Sequence, residues 1–353
     1  MSQTIQEYKT EGRDSMGYYL TRKAMDSFLE RLREDHIVYA PKRFDGGGRF
    51  SDTDCVRHGE IQTSDEIETD EKSDFSFKEI LTPVSETLFY FTENEVRESE
   101  GPQKAALVFL RSCDLHAVRR LDEMYLNNGR PDPYYARLRD KIRFALIGCD
   151  QSCENGFCVD MGTNRSDNYD ISIDPADDGF YIDCRNLEWD GLLGSLAEKE
   201  LPVEPSFVTE NEVRVQIPED LDARVMNSSM WEEYEGRCIN CGRCNFVCPT
   251  CSCFSMQDLF YTENGKAGER RRVWSSCMVD GFADVAGGGT YRRKNGERMR
   301  FKTLHKVLDF KQRAGYQMCV GCGRCDDICP EYISFSGCIN KLGDAMQEVT
   351  HED

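Results

Sequence analysis

Cys238-Ile-Asn-Cys241-Gly-Arg-Cys244-Asn-Phe-Val-Cys248-Pro249 returns, 81 positions on, as Cys319-Val-Gly-Cys322-Gly-Arg-Cys325-Asp-Asp-Ile-Cys329-Pro330. Two residues between thiols let a tight turn present three sulfurs to three corners of an iron–sulfur cube. The three-residue gap and the proline then turn the chain away, because proline fixes φ and has no N–H. In such doubled runs the fourth cysteine ligates the other cluster. The pattern therefore assigns Cys238, Cys241, Cys244 and Cys329 to one [4Fe–4S] site, and Cys248, Cys319, Cys322 and Cys325 to a second. Zinc also uses paired C-x-x-C units, but a third cysteine at the same spacing followed by Cys-Pro, twice over, is surplus to four zinc ligands. The shared Gly-Arg (Gly242-Arg243, Gly323-Arg324) is read as letting backbone N–H groups approach cluster sulfurs.

The 353 residues have room for two domains. Charges run through the first thirty residues and no apolar leader segment shows, so the eighteen cysteines read as metal ligands in a reducing, cytoplasmic setting rather than as disulfides. No run approaches a membrane span, so direct membrane insertion is not expected. A formal charge of −20 argues against nucleic acid, which demands a basic footprint.

In the first half, Ala24, Phe28 and Leu32 mark a helix over 21–33, and Gly46 to Gly48 mark a turn. The acidic stretch 60–74 reads as an exposed loop, with partner docking as the bolder alternative. Ala105–Leu110 and Ile142–Ile147 are apolar runs that predict buried strands. Between them, Leu115, Val118, Leu121, Met124 and Tyr125 stripe a helix over 114–127, giving a parallel βαβ unit. Each strand ends beside a cysteine, Cys113 and Cys149, at the carboxyl edge where open α/β sheets bind ligands. Cys153 and Cys158 follow in the next loop. These four thiols, within 113–158, form a candidate third [4Fe–4S] site; zinc fits the same spacing, and packing of small buried thiols is the plainer reading. Cys55 and Cys184 stand alone and read as packing residues.

The stretch 174–218 predicts short strands and turns with a helix near 192–199, and no chemistry. The expected architecture is α+β: an N-terminal α/β-type domain over 1–225, then a helical ferredoxin-like domain over 226–353 holding two [4Fe–4S] clusters, with a long insertion between its motifs. In that insertion Cys251, Cys253 and Cys277 read as structural. Arg270–Arg272 and the run Arg292, Arg293, Lys294, Arg298, Arg300, Lys302, Lys306 are unusual in so acidic a chain. They serve either to compensate buried cluster charge or to dock a partner. No Gly-x-Gly-x-x-Gly after a strand and no P-loop occurs, and His116 reads as a polar-face residue. No catalytic residue is visible; the chain reads as a conductor.

The run Cys238 to Phe254, with Gly268 to Arg272, Trp274 to Met278, Leu304 to Lys306 and Cys319 to Cys325, resembles the iron–sulfur subunit of anaerobic sulfite reductases. It is also similar to the related beta subunit of cytoplasmic nickel–iron (sulf)hydrogenases. Gly48 to Asp54, Glu86 to Phe91 and Met161 to Asn164 look like the sulfite reductase protein specifically. That resemblance implies an electron relay that draws on an FAD-containing, NADH-oxidising subunit. It would deliver to a sirohaem subunit, which reduces sulfite to sulfide. A redox-sensing iron–sulfur module and the hydrogenase beta subunit are the rival readings. Relatives carry Cys-Phe-Cys where this chain has Gly156-Phe157-Cys158, which leaves Cys153 as the substitute ligand.

Overall fold

The computed structural model describes residues 16–48 and 52–351; Arg49, Phe50 and Ser51 of the Gly48–Asp54 run lie outside them. In chain order the first half comprises β1 (Met16–Thr21), α1 (Arg22–Leu32), β2 (His36–Phe44), β3 (Cys55–Glu60), α2 (Lys78–Leu81), β4 (Ser85–Phe91), β5 (Val96–Glu98), β6 (Ala105–Leu110), α3 (Ser112–Tyr125), α4 (Pro133–Arg139), β7 (Ile142–Ile147), β8 (Ile171–Ala176), β9 (Gly179–Cys184), α5 (Leu187–Leu196) and β10 (Lys199–Pro202). The second half adds α6 (Glu233–Arg237), α7 (Arg243–Phe246), β11 (Phe254–Phe260), β12 (Gly268–Trp274), α8 (Asn295–Leu304), a π-helical turn (His305–Asp309), α9 (Phe310–Ala314), α10 (Arg324–Asp327), α11 (Phe335–Asn340) and α12 (Leu342–His351).

Eight strands form one sheet in the order β10-β1-β9-β8-β7-β6-β2-β3. Its centre, β2-β6-β7-β8, is parallel, so the predicted βαβ unit is present with β6 and β7 as direct neighbours. Both faces of these strands are covered, which is why their sequences are near-continuous apolar runs. Side chains still alternate. Leu107, Phe109, Ala145 and Ile147 pack on one face with Phe28 and Leu29 of α1 and Trp189 and Leu193 of α5. Ala106, Val108, Leu110, Phe144 and Leu146 pack on the other with Leu115, Val118 and Leu121 of α3. Thr21 caps α1 by accepting from the Ala24 N–H, and Asp132 caps α4.

The halves interlock across the expected boundary at 225/226. The β11–β12 hairpin comes from between the two cysteine motifs, and β12 pairs antiparallel with β4 to complete a four-stranded sheet, β11-β12-β4-β5. The second half, expected as helical, therefore also contributes strands. Arg270 pairs with Asp258, Arg271 with Glu269, and Arg272 with Glu86 and Asp132, so this basic triplet is spent inside the sheet and on its neighbour α4. Phe157, Met161, Val215 and Val225 of the first half join the core of the second.

The acidic stretch 60–74 is a correction to the sequence reading. It is not an exposed loop: Ile61, Ser64, Ile67 and Ser73 are buried. Its backbone carbonyls are acceptors for buried cations. Arg111 donates to Thr69 O and Glu71 O, and Arg324 donates to Ser73 O and Ser73 Oγ. Arg324 also makes a bidentate pair with Asp114 at 2.7 and 2.8 Å, with both side chains at most 2% exposed. This pair ties α10 of the second cysteine motif to the start of α3. Removing one partner strands a buried charge, so Asp114→Ala is expected to lower unfolding stability by about 3–5 kcal/mol, measured by denaturant titration against wild type. A loss under about 1 kcal/mol, the size of an exposed pair, would show that the clamp contributes little.

Candidate iron–sulfur centres

The two Cys-Gly-Arg-Cys turns fold alike. Gly242 (φ +72°) and Gly323 (φ +74°) adopt left-handed backbone and start the single turns α7 and α10, which carry the third cysteine of each motif. The sequence reading gave these glycines to cluster sulfurs. At Gly323, and at Gly321 (φ +65°), a Cβ would instead run into the backbone of Asn155 and Phe157 respectively. The loop carrying Cys153 and Cys158 thus lies directly on the second motif. Phe157 N donates to Gly321 O at 2.7 Å, and Thr163 Oγ1 donates to Val320 O at 2.6 Å.

Two small voids gather the thiols. One is lined by Cys248, Cys319, Cys322 and Cys325, the set assigned to the second cluster, together with Cys244, Lys302, Lys306, Phe157 and Phe335. The other is lined by Cys113, Cys149, Cys153 and Cys158, together with Arg111, Asn164, Gly321 and Cys322. Cys113 and Cys149 reach it from the carboxyl ends of β6 and β7. The remaining set sits nearer the surface: Cys238 feels Cys244, Cys241 and Cys329 as its charged neighbours, and Cys241 is exposed. Among the described residues no three His, Cys, Asp or Glu groups close on a point as one metal ion would need.

Burial pushes the thiols of Cys113, Cys149, Cys322 and Cys325 up, that of Cys158 to about 11 and that of Cys319 to about 12. Ligand thiolates here need a cationic environment. Lys78, Lys302 and Lys306 are at most 5% exposed and have no carboxylate ion pair among the described residues. Burial works against charge on Lys302, but Cys244, Cys325 and Cys251 outweigh it and hold the ammonium protonated; Cys248, Cys251 and Cys319 do the same for Lys306. Lys306 Nζ donates to Thr250 Oγ1 at 2.6 Å, and that hydroxyl lies 3.4 Å from Cys248 Sγ. Lys78 donates to Cys251 O at 2.9 Å and stacks on Trp274, 4.0 Å from the ring centre; there burial prevails and lowers its pKa. Arg111 donates to Cys149 Sγ at 3.3 Å. Lys72 donates to Cys322 O at 3.0 Å and pairs with Asp327 at 2.7 Å. Lysines buried among thiols without carboxylates fit a tenant of net negative charge, as a thiolate-ligated iron–sulfur cluster is.

Sequence reasoning found Lys302 and Lys306 as part of a basic run but missed Lys72, Lys78 and Arg111, which nothing local marks as buried. Cys251, Cys253 and Cys277 lie behind the second set. Cys251 hydrogen-bonds Cys248, Cys277 hydrogen-bonds Cys253, and Asn245 Nδ2 donates to Cys277 Sγ at 3.1 Å. His116 has its Nε2 2.7 Å from Arg165 O, away from the thiols.

With this geometry in place, the comparisons define a class. Residues 237–333 match the family described as a 4Fe-4S dicluster domain, so the chain is an iron–sulfur protein of the electron-transferring kind. It is 29% identical over 336 residues to the sulfhydrogenase 2 subunit beta of Pyrococcus furiosus, a match covering 90% of this chain and 96% of that protein, and the two are homologous. No solved structure matches. The expectation of sulfite reduction receives no support from this relative, which favours the rival hydrogenase reading. Among the described residues no helix is long and apolar enough to cross a membrane.

Cys153 is the thiol on which the third set depends most. Cys153→Ser is expected to remove about four iron atoms per chain while leaving the other clusters, on the count for one cubane, as read by iron and acid-labile sulfide assay. Unchanged iron would clear Cys153 of a ligand role.

Proposed function

We propose that the chain is the electron-relaying iron–sulfur subunit of a hydrogenase-type complex, in the manner of the sulfhydrogenase beta subunit to which it is related. Three [4Fe–4S] centres are proposed: Cys238, Cys241, Cys244 and Cys329; Cys248, Cys319, Cys322 and Cys325; and Cys113, Cys149, Cys153 and Cys158. A bound cubane supplies a one-electron couple whose potential depends on charge, hydrogen bonds and exposure.

The observation that carries this reading is the sharing of walls. Cys322, a ligand of the second set, also lines the void of the third. Cys244, a ligand of the first set, also lines the void of the second. Neighbouring sets thus share a wall residue, third with second through Cys322 and second with first through Cys244, and we read them as a row. Around them the chain's own residues hold the thiols apart, exclude water with Phe157, Val320 and Phe335, and supply buried cations. The substrate-converting centre is assigned to a partner protein. A flavoprotein that oxidises a nicotinamide is the proposed electron source.

The second reading, an iron–sulfur protein of sulfite reductase delivering to sirohaem, is favoured by the resemblance of Glu86 to Phe91 and Met161 to Asn164. The intact complex, purified without oxygen through a tag on this chain, separates the two. Nickel in the complex and reduction of its clusters by hydrogen gas are expected; a sirohaem absorbance with sulfite-dependent reoxidation would give the second reading instead. The chain itself is expected to carry about twelve iron atoms, with about eight removing the third centre. Zinc, or no metal, would overturn the relay altogether.

A further inference from the structure

Lys302 occupies a place that compensation of buried charge alone does not require. It lies on α8, 5% exposed, with its ammonium 4.6 Å from the centre of the Phe335 ring. It lines the void of the second thiol set, and so does Cys244 of the first. Lys306, one helical turn on, lines the same void but engages Thr250, whose hydroxyl touches Cys248, a ligand of the second set alone. Among the described residues neither lysine has a carboxylate ion pair, so its charge is directed at the thiols around it. Two lysines of equal charge thus share a void but differ in thiol neighbours: Lys302 hydrogen-bonds Cys244 of the first set and lies by Cys325 of the second, whereas Lys306 lies by Cys248 and Cys319 of the second set and by Cys251.

We propose that Lys302 is a positioning residue that sets the potentials of the first and second centres together, while Lys306 sets that of the second alone. This rests on the relay reading above. Adding an electron makes a site one unit more negative, and a fixed buried cation beside it stabilises the added charge without changing any bond. A cation on the wall between two sites favours reduction of both. It also lowers the cost of having an electron on either, which keeps the pair matched for onward transfer.

The test is a redox titration of the holoprotein, followed by electron paramagnetic resonance, on wild type, Lys302→Met, Lys302→Arg and Lys306→Met. Iron is assayed on each sample first, so that a wild type without iron falsifies the relay reading itself and is told apart from failure of this proposal. In Lys302→Met both ferredoxin-type signals are expected to move to more negative potential. At the wild-type midpoint the ratio of reduced to oxidised centre is expected to fall by about tenfold for each, a cautious value for a unit charge a few ångströms away in a partly screened interior. Lys302→Arg is expected to stay near wild type, and the third centre not to move. Lys306→Met is expected to shift one of the two signals only. Unmoved potentials in Lys302→Met with iron retained would overturn the proposal. So would Lys302→Arg shifting as far as Lys302→Met, or Lys306→Met moving both signals together, the last holding even where Lys302→Met fails to keep its iron.

Discussion

Thiolates taken out of water must be answered by cations taken out of water, and that balance organises this molecule. An isolated buried ammonium or thiolate costs several kcal/mol, and each is tolerable only beside the other. The chain meets the requirement from every side of the cysteine array. Lys302 and Lys306 come from α8 and the π turn after it, Lys78 from α2, Lys72 from the acidic strap, Arg111 from the end of β6, and Arg324 from inside the second motif. Lys302 and Lys306 are four residues apart, so they project from one helical face. The π turn His305–Asp309 begins within this pair. Such turns recur at functional sites because the extra residue re-aims the face that follows.

The same balance explains why the two halves are not separable units. A minimal two-cluster domain would leave the second thiol set against solvent. Here it is roofed by residues from the first half: Phe157 lines its void, and Asn155 and Phe157 lie backbone to backbone on Gly323 and Gly321. The parallel β7-to-β8 connection, where a helix would be usual, is instead the cysteine-bearing loop that makes these contacts. Strand pairing of β12 with β4 and the Asp114–Arg324 clamp hold the halves in one register. The proposed row of redox sites needs fixed spacing, and a row running from the edge of a sheet into a second module would have it only if that junction is rigid.

What was legible in the sequence was what is local. The doubled cysteine run declares its chemistry through spacing alone, and β6, α3 and β7 declare themselves through apolar runs and one helical stripe. The third thiol set was readable because topology brings the ends of adjacent parallel strands together, so Cys113 and Cys149 had to be neighbours. What failed to show depends on distant partners. The stretch 60–74 has the composition of a solvated loop, yet its carbonyls are bound by Arg111 and Arg324, which lie far away in sequence. Lys72 sits among polar residues, and Lys78, between Phe77 and Ile80, has a charge that argues for the surface. Gly323 was legible as special, but the neighbour that it and Gly321 make room for is a loop more than 160 positions earlier. The β11–β12 hairpin was lost for a related reason. Its strand Phe254–Phe260 is almost wholly exposed, and the apolar alternation of Phe254 and Met256 breaks at Asp258 and Leu259, too short a run to mark a strand.

The relay interior is indifferent to what it feeds. Its thiols, cations and aromatic walls suit electrons bound for a hydrogen-converting centre as well as electrons bound for sirohaem, because a cubane passes one electron whatever its destination. Any distinction between those partners must therefore be made where the row meets the surface. At the first set this is Cys241, exposed between Ile239, 57% exposed, and the neighbouring Arg243. The backbone there is held in unusual conformations, with Asn240 at φ +58° and Tyr332 at φ +50° after the second Cys-Pro, and Tyr332 is 88% exposed. Non-glycine residues keep such φ only where the surroundings enforce it. Here the turns that enforce it are the ligand loops themselves. The shape of this end is thus tied to the same cysteines that make the proposed row, whereas the far end, around Gln151 and Glu154, is set by the loop between β7 and β8. That loop is exposed at Gln151 and Glu154 and is not fixed by the doubled cysteine run, so the two ends of the proposed row are shaped independently.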